Sequence, residues 1–105
     1  MPTEFKAKDT SLIIAIDGEI DHHELKTLRA EIDDEIEKRA PERIIFDFSR
    51  TSFMDSSGLG LVLGRYRKAK ERGAEVEIVN PIGKIHKILS MAGIDKLIKI
   101  TGVEK

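Results

Sequence analysis

The sequence predicts an α/β fold whose sheet is at least partly parallel. Short runs rich in β-branched apolar residues alternate with longer segments in which apolar residues recur every three or four positions. Helix-length connections join the central runs, and such connections make right-handed crossovers between parallel strands. The 105 residues show no internal repeat and no low-complexity linker, so we expect one domain over residues 1–105.

Five segments have the composition of strands. Four of them are dominated by β-branched and other apolar residues, and a fifth, residues 4–7, can add a strand at one edge of the sheet. The four apolar segments span residues 12–16, 43–48, 75–79 and 97–100. Residues 43–48 carry apolar side chains on both faces, which predicts a central strand that is covered on both sides or buried at one end. Beyond the last strand, residues 101–105 are expected to fray.

The first predicted helix follows a turn at Asp17-Gly18. Asp21 can cap this helix, Pro41 stops it, and it spans about residues 22–39. Its predicted buried side chains recur at three- and four-residue steps and are Leu25, Leu28, Ile32 and Ile36.

Turn residues also bound the second and third helices. A polar turn at residues 55–57 opens the second helix, which runs to about residue 72 and is followed by Gly73, the expected C′ residue. Asn80-Pro81 starts the third helix, and Gly93 ends it. The predicted buried residues are Leu59, Val62, Leu63 and Tyr66 in the second helix, and Ile82, Ile85, Ile88 and Leu89 in the third.

Composition and charge exclude several classes of protein. A formal net charge of -1 gives no polyanion-binding pattern, so we expect no direct contact with nucleic acid. The chain has no cysteine, which excludes disulfides and thiol chemistry. No apolar run approaches the roughly 18 residues of a membrane span, and residues 1–9 hold no hydrophobic signal core. We expect a cytoplasmic protein that does not bind membranes, has no cofactor and is a monomer when free.

The polar turn before the second helix has the strongest functional indication. Ser56 and Ser57 lie where the helix begins, directly after Asp55. Helix N-termini have unpaired N–H groups and a partial positive charge, so they stabilise phosphate, and a serine there can be a phosphorylation switch. Asp and Ser are also the preferred N-cap residues, so a purely capping role is the alternative. The spacing does not choose between the two serines as acceptor.

The residues give little support for catalysis or metal binding. Neither Ser56 nor Ser57 has a glycine two positions before it, as the Gly-x-Ser-x-Gly nucleophile motif requires. We interpret His22, His23 and His86 as surface or capping residues. The adjacent His22-His23 pair lacks the i,i+4 spacing of a helical metal site, so no metal site is expected.

A small nucleotide- or phosphate-binding domain is the alternative function. Gly58, Gly60 and Gly64 follow a strand, and Glu75 or Glu77 lies in the next strand, where a ribose-binding acid is expected. The spacing differs by one from the Gly-x-Gly-x-x-Gly pattern, and the glycines fall inside the predicted helix. Close approach between helix and sheet is the structural explanation for these glycines.

Several segments resemble a known family. Residues 53–60, Phe-Met-Asp-Ser-Ser-Gly-Leu-Gly, are similar to the signature of anti-sigma factor antagonists, the STAS-domain proteins of bacterial partner-switching systems. Residues 18–23 resemble the second motif of that family, and residues 64–66 and 91–94 also match. The His22-His23 doublet makes the chain similar to the sporulation branch, whose members act on the anti-sigma-F factor.

The resemblance implies a mixed sheet of four or five strands with helices mainly on one face. It implies that Ser57 accepts the phosphate and that the anti-sigma factor is itself the serine kinase. In such systems the unphosphorylated antagonist docks on the anti-sigma factor and releases the sigma factor. A separate serine phosphatase resets the switch, and the antagonist is a binding module rather than an enzyme.

The predicted partner-binding surface centres on Ser57 and includes the segment that leaves the neighbouring strand. Gly58 and Gly60 have no side chain, so a partner can approach the backbone closely there. Leu59 is either an apolar anchor or a core residue. The predicted contact residues are Asp21, His22, His23, Asp55, Ser56, Ser57, Gly58, Leu59 and Gly60.

Overall fold

A computed structural model describes residues 3–103, and it confirms the α/β prediction. The elements are β1 (Thr3–Lys8), β2 (Ser11–Ile16), β3 (Gly18–Ile20), α1 (Leu25–Arg39), β4 (Arg43–Asp47), β5 (Thr51–Met54), α2 (Ser56–Glu71), β6 (Glu75–Val79), α3 (Gly83–Met91) and β7 (Lys99–Thr101). One turn of 3-10 helix at Ile94–Lys96 precedes β7. Residues 104 and 105, which the sequence predicts to fray, lie outside the described residues, whereas Thr101 closes β7.

The main sheet has the strand order β1-β2-β4-β6-β7. β1 pairs antiparallel with β2, so the predicted edge strand is confirmed. The remaining pairs are parallel, and their register places Ile14 beside Phe46 and Phe46 beside Ile78. The sheet is therefore mixed, with a parallel centre built from helical crossovers.

The core lies on one face of this sheet. Alternate residues of β2, β4 and β6 are buried on that face: Leu12, Ile14, Ile16, Ile44, Phe46, Val76 and Ile78. α1 contacts β2 and α2 contacts β6, which places the helices over these side chains. On the opposite face Ile45 is only half-buried, so of the two predicted alternatives for this strand, coverage on both sides does not hold. The alternation is typical of a sheet with one solvated face.

The predicted helices are confirmed, but two of them begin later than expected. The Asp21 carboxylate accepts the His23 N–H at 3.0 Å and closes a turn, and α1 starts only at Leu25. α3 starts at Gly83 because Asn80 takes a left-handed backbone with φ of 57°. Gly73 and Gly93 have φ values of 75° and 77°, which confirms them as helix-ending residues.

The predicted buried stripe of α2 was mostly wrong. Only Val62 of the four expected residues is fully buried, whereas Leu59, Leu63 and Tyr66 are half-buried against the edge of the core. The helix is rotated so that a different set faces inward: Gly58, Leu61, Val62, Arg65 and Ala69. The last strand is also shorter than expected, since Leu97 is exposed and β7 begins at Lys99.

Gly58 sets the rotation of α2. A Cβ atom at Gly58 would lie 2.6 Å from Met54 Cγ and 3.2 Å from the Ile20 carbonyl oxygen. At Gly60 and Gly64 a Cβ atom would meet nothing within 4 Å, so the predicted close approach is confirmed at Gly58 alone. All three glycines lie within α2, and the glycine-rich turn that a nucleotide site would need is not formed.

We expect Gly58→Ala to lower the free energy of unfolding by about 1–3 kcal/mol, because its methyl group would press against the Ile20 backbone. Gly60→Ala is the matched control on the same helix. It is expected to raise that free energy by roughly 0.5–1 kcal/mol, since alanine is the better helix former. Urea denaturation measures both variants. Equal responses would contradict the close approach.

Candidate functional site

The first turn of α2 is capped by Asp55 rather than by a serine. Asp55 has an extended backbone, and its Oδ1 atom accepts the N–H of Ser57 at 2.9 Å and that of Gly58 at 3.2 Å. Ser56 is exposed and Ser57 is half-buried. Among residues 3–103, neither hydroxyl forms a hydrogen bond. The helix N-terminus is therefore satisfied without the serines, and both hydroxyls are left for other chemistry.

A second, two-stranded sheet brings the early motif to this helix. β3 pairs in parallel with β5, and Ile20 lies opposite Met54. Asp21 and Asp55 come directly after these two residues, so both emerge at the same end of the small sheet. The Asp55 N–H also donates to the Ile20 carbonyl oxygen at 3.3 Å. Sequence analysis did not predict β3, because three residues are too few to show a period.

Thr51 connects the small sheet to the main one. Its side chain is buried, and its hydroxyl donates to the Ile16 carbonyl oxygen at 2.7 Å. The Gly18 N–H donates to the Arg50 carbonyl oxygen at 3.0 Å, one residue before β5. These bonds hold β3 and β5 at the end of β2, and they fix where α2 begins.

His22 is the histidine that the structure brings to the site. Its Nδ1 atom lies 4.0 Å from Asp55 Oδ2, while its side chain is 68% exposed. The His22 and His23 rings are 4.1 Å apart between centroids. Asp55 therefore uses one oxygen to cap α2 and presents the other to the Asp21–Glu24 turn.

The predicted contact residues differ in their exposure. His22, His23, Ser56 and Gly60 are exposed, and Asp21, Asp55, Ser57 and Leu59 are half-buried. Gly58 is buried against Ile20 and Met54, so its backbone is less accessible to a partner than the sequence suggested. Leu59 packs against the core with part of its surface, which favours the core role over the anchor role.

Phe53 is a residue of this surface that sequence analysis missed. It is 36% exposed at the end of β5, and Lys84 Nζ from α3 lies 5.6 Å from its ring centroid. The only indication in the sequence was its place in β5. Phe53 directly precedes buried Met54, so the two side chains point to opposite faces of the strand. An exposed aromatic ring two residues from Asp55 adds an apolar contact to a polar surface.

The described part of the chain offers no metal cluster. Within residues 3–103, no group of three or more His, Asp or Glu side chains could hold a metal ion. His86 contacts Ser90 of its own helix, with 3.5 Å between Nε2 and Oγ. Over the same residues, no helix is long and apolar enough to cross a membrane.

Asp55→Ala is expected to lower the free energy of unfolding by about 1–2 kcal/mol, because two N–H groups of α2 lose their acceptor. Asp55→Asn is the matched control, since its amide oxygen can still accept, and most of the stability should remain. Thermal and urea denaturation measure both variants. If the two losses were equal, the carboxylate charge rather than the cap would be the stabilising feature.

Comparison with known proteins explains this combination of features. The family model described as STAS domain matches residues 3–104. The chain is 37% identical over 89 residues to an anti-sigma F factor antagonist from Paenibacillus polymyxa, covering 85% of this chain and 76% of that protein.

Two solved structures of SpoIIAA, an anti-sigma factor antagonist, are also similar. The unphosphorylated form superposes with a TM-score of 0.81 at 33% identity, covering 94% of this chain and 87% of that one. The phosphorylated Bacillus form gives a TM-score of 0.74 at 33% identity, covering 94% and 90%. The resemblance found in the sequence is thus confirmed, and the chain belongs to the STAS domain family.

Proposed function

We propose that this protein is an anti-sigma factor antagonist whose docking is switched by phosphorylation of Ser57. One observation carries the proposal: Asp55 caps α2, so the Ser57 hydroxyl lies in the first helical turn without a structural bond. Similarity to SpoIIAA, which is known in unphosphorylated and phosphorylated forms, supports a switch of this kind.

In this proposal the unphosphorylated protein binds an anti-sigma factor in the cytoplasm. Binding releases a sigma factor and activates sporulation transcription. The anti-sigma factor is also the serine kinase that modifies Ser57, and a serine phosphatase restores the active form. The relatives named anti-sigma F factor antagonist support this assignment of the partner. The protein then regulates by binding and catalyses nothing itself.

The docking surface combines three exposed elements around Ser57. The Asp21–Glu24 turn contributes His22 and His23, and the start of α2 contributes Ser56 and Gly60. Phe53 adds the apolar contact beside them. Aromatic side chains, Phe among them, are enriched at protein–protein interfaces, so Phe53 is the expected anchor in place of Leu59.

Electrostatics explains why a phosphate on Ser57 would act at this surface. Phosphorylation adds about -1.5 to -2 charges at neutral pH. The partial positive charge of the helix N-terminus stabilises part of this charge. However, Asp55 already occupies the N–H groups of Ser57 and Gly58, and its own charge opposes the phosphate. The phosphate is therefore left to face the docking partner.

The expected loss of affinity follows from the cost of an unpaired charge. Burying a charge without its partner costs about 3–5 kcal/mol in a packed environment. Since each ~1.4 kcal/mol is a factor of ten, docking should weaken by roughly 100- to 4,000-fold on phosphorylation.

Incubation with ATP and the candidate anti-sigma kinase tests the acceptor. Phosphate is expected on Ser57, because that residue matches the family's acceptor position, and peptide mass mapping locates it. Ser57→Ala should abolish labelling, and Ser56→Ala, the neighbouring hydroxyl, should leave it unchanged. Phosphate on Ser56 would show that Ser56, and not Ser57, is the acceptor. An unlabelled chain, with the kinase active on another substrate, would contradict the proposal.

Titration calorimetry with the unmodified anti-sigma factor tests the role of charge. Ser57→Asp should weaken docking strongly, because it places a carboxylate where the phosphate would lie, while Ser57→Ala should bind as well as the natural protein. Ser49→Asp makes the same change of charge at an exposed site between β4 and β5, and should have no effect. Equal affinities for Ser57→Asp and Ser49→Asp would contradict the charge argument.

A further inference from the structure

His22 and Ser57 face the two oxygens of one carboxylate. Asp55 Oδ1 accepts the Ser57 N–H at 2.9 Å, and Asp55 Oδ2 lies 4.0 Å from His22 Nδ1. The two residues therefore flank the same side chain, although they are far apart in the sequence. A phosphate would extend Ser57 beyond its hydroxyl, which would bring its oxygens within reach of the imidazole that adjoins Asp55.

The His22 imidazole is not locked onto Asp55. A charge-assisted hydrogen bond spans about 2.7–2.9 Å, so the separation of 4.0 Å leaves the pair unbonded. The His22 side chain is also 68% exposed, which leaves room for it to change rotamer. Its backbone is held, because the Asp21 carboxylate accepts the His23 N–H at 3.0 Å and closes the turn. A fixed turn thus carries a movable imidazole beside Ser57.

The neighbouring His23 faces a different part of the surface. At the start of α1 it lines a depression with Glu24, Thr27, Leu28 and Glu31. Its ring also lies against that of His22, with 4.1 Å between the centroids. The doublet therefore places one imidazole beside Asp55 and the other over α1.

Phosphorylation of Ser57 would place two negative groups side by side. The phosphate carries about -1.5 to -2 charges at neutral pH, and the Asp55 carboxylate beside it is also negative. Asp55 already accepts the N–H groups of Ser57 and Gly58, so these donors do not neutralise the phosphate. Asp21 and Glu24 add two more acidic side chains to the adjoining turn. An imidazole titrates between pH 5 and 8, and a nearby dianion favours its charged form.

Lys84 is a second cation close to this surface. Its Nζ atom lies 5.6 Å from the ring centroid of Phe53, within the range of a cation–π contact. This contact holds the ammonium group at the end of β5, whereas His22 already adjoins the Asp55 carboxylate. His22 is therefore better placed than Lys84 to meet a phosphate on Ser57.

We propose that His22 binds the Ser57 phosphate as an imidazolium, and that phosphorylation turns its side chain from Asp55 to the phosphate. This inference rests on the proposed modification of Ser57 and deepens it. His22 leaves the docking surface at the same time as the phosphate enters it. The phosphorylated protein then differs from the unmodified one in two elements, the first turn of α2 and the Asp21–Glu24 turn.

A ³¹P titration of the full chain, with phosphoserine encoded at position 57, tests this contact. The ³¹P shift follows the second ionisation of the phosphate, which lies near about pH 6 in an ordinary phosphoserine. His22→Gln should raise the midpoint by about 0.2–0.7 pH unit, because the dianion loses the cation that stabilises it. His23→Gln removes the same type of side chain one residue away and should shift the midpoint much less, as should Lys84→Gln.

Ring ¹⁵N shifts of His22 give a second readout. At neutral pH they should show more imidazolium in the phosphorylated chain than in the unmodified chain. Equal midpoints for the unsubstituted chain and His22→Gln, or an equal shift in His23→Gln or Lys84→Gln, would overturn the inference. Because the phosphoserine is encoded, the result does not depend on whether the anti-sigma factor modifies Ser57, so failure of this contact and failure of the proposed function are distinguishable.

Discussion

The Asp55 carboxylate is the contact on which the site depends. One of its oxygens accepts two N–H groups at the start of α2, and the other lies 4.0 Å from His22. It therefore joins two segments that are more than thirty residues apart in the sequence. This single carboxylate caps the helix, so the hydroxyl groups of the two serines that follow it are not needed for the cap. Modification of one of these serines should therefore change the stability of the fold little.

Close packing behind the cap holds this arrangement in place. Gly58 lies against Ile20 and Met54 without room for a side chain, so α2 has one position relative to β3 and β5. Thr51 ties the same small sheet to the carbonyl group of Ile16 at the end of β2. A rigid core thus presents Ser57 and the Asp21–Glu24 turn at fixed positions, as expected for a surface that recognises a partner through a local change of charge.

Most of the fold was predictable because its elements show regular periods. The strands at residues 12–16 and 75–79 and the three helices follow from apolar spacing and from turn residues such as Gly73 and Gly93. The rotation of α2 was not predictable, because its apolar residues are compatible with two different buried faces. The close contact of Gly58 with Ile20 and Met54 selects the face that includes Arg65. The start of α1 was misplaced because Asp21 closes a turn with the same hydrogen bond that a cap would use.

The candidate site was predictable in its chemistry but not in its geometry. Asp55 and the two serines follow from the preferences of a helix N-terminus, and the family resemblance selects Ser57 between them. The proximity of His22 to Asp55 depends on the pairing of β3 with β5, which are strands of three and four residues. Strands this short carry too little pattern to be paired from sequence. Phe53 was missed for a related reason, because burial of a strand residue depends on its neighbours.

The central claim is that phosphate on Ser57 changes the docking surface and leaves the fold intact. Amide shifts of the unmodified and the Ser57-phosphorylated protein, assigned over the whole backbone, test it most directly. We predict changes confined to the first turn of α2, the Asp21–Glu24 turn and the end of β5. Shifts spread through α1, α3 and the strands of the main sheet would show that the switch refolds the protein, and would contradict this account.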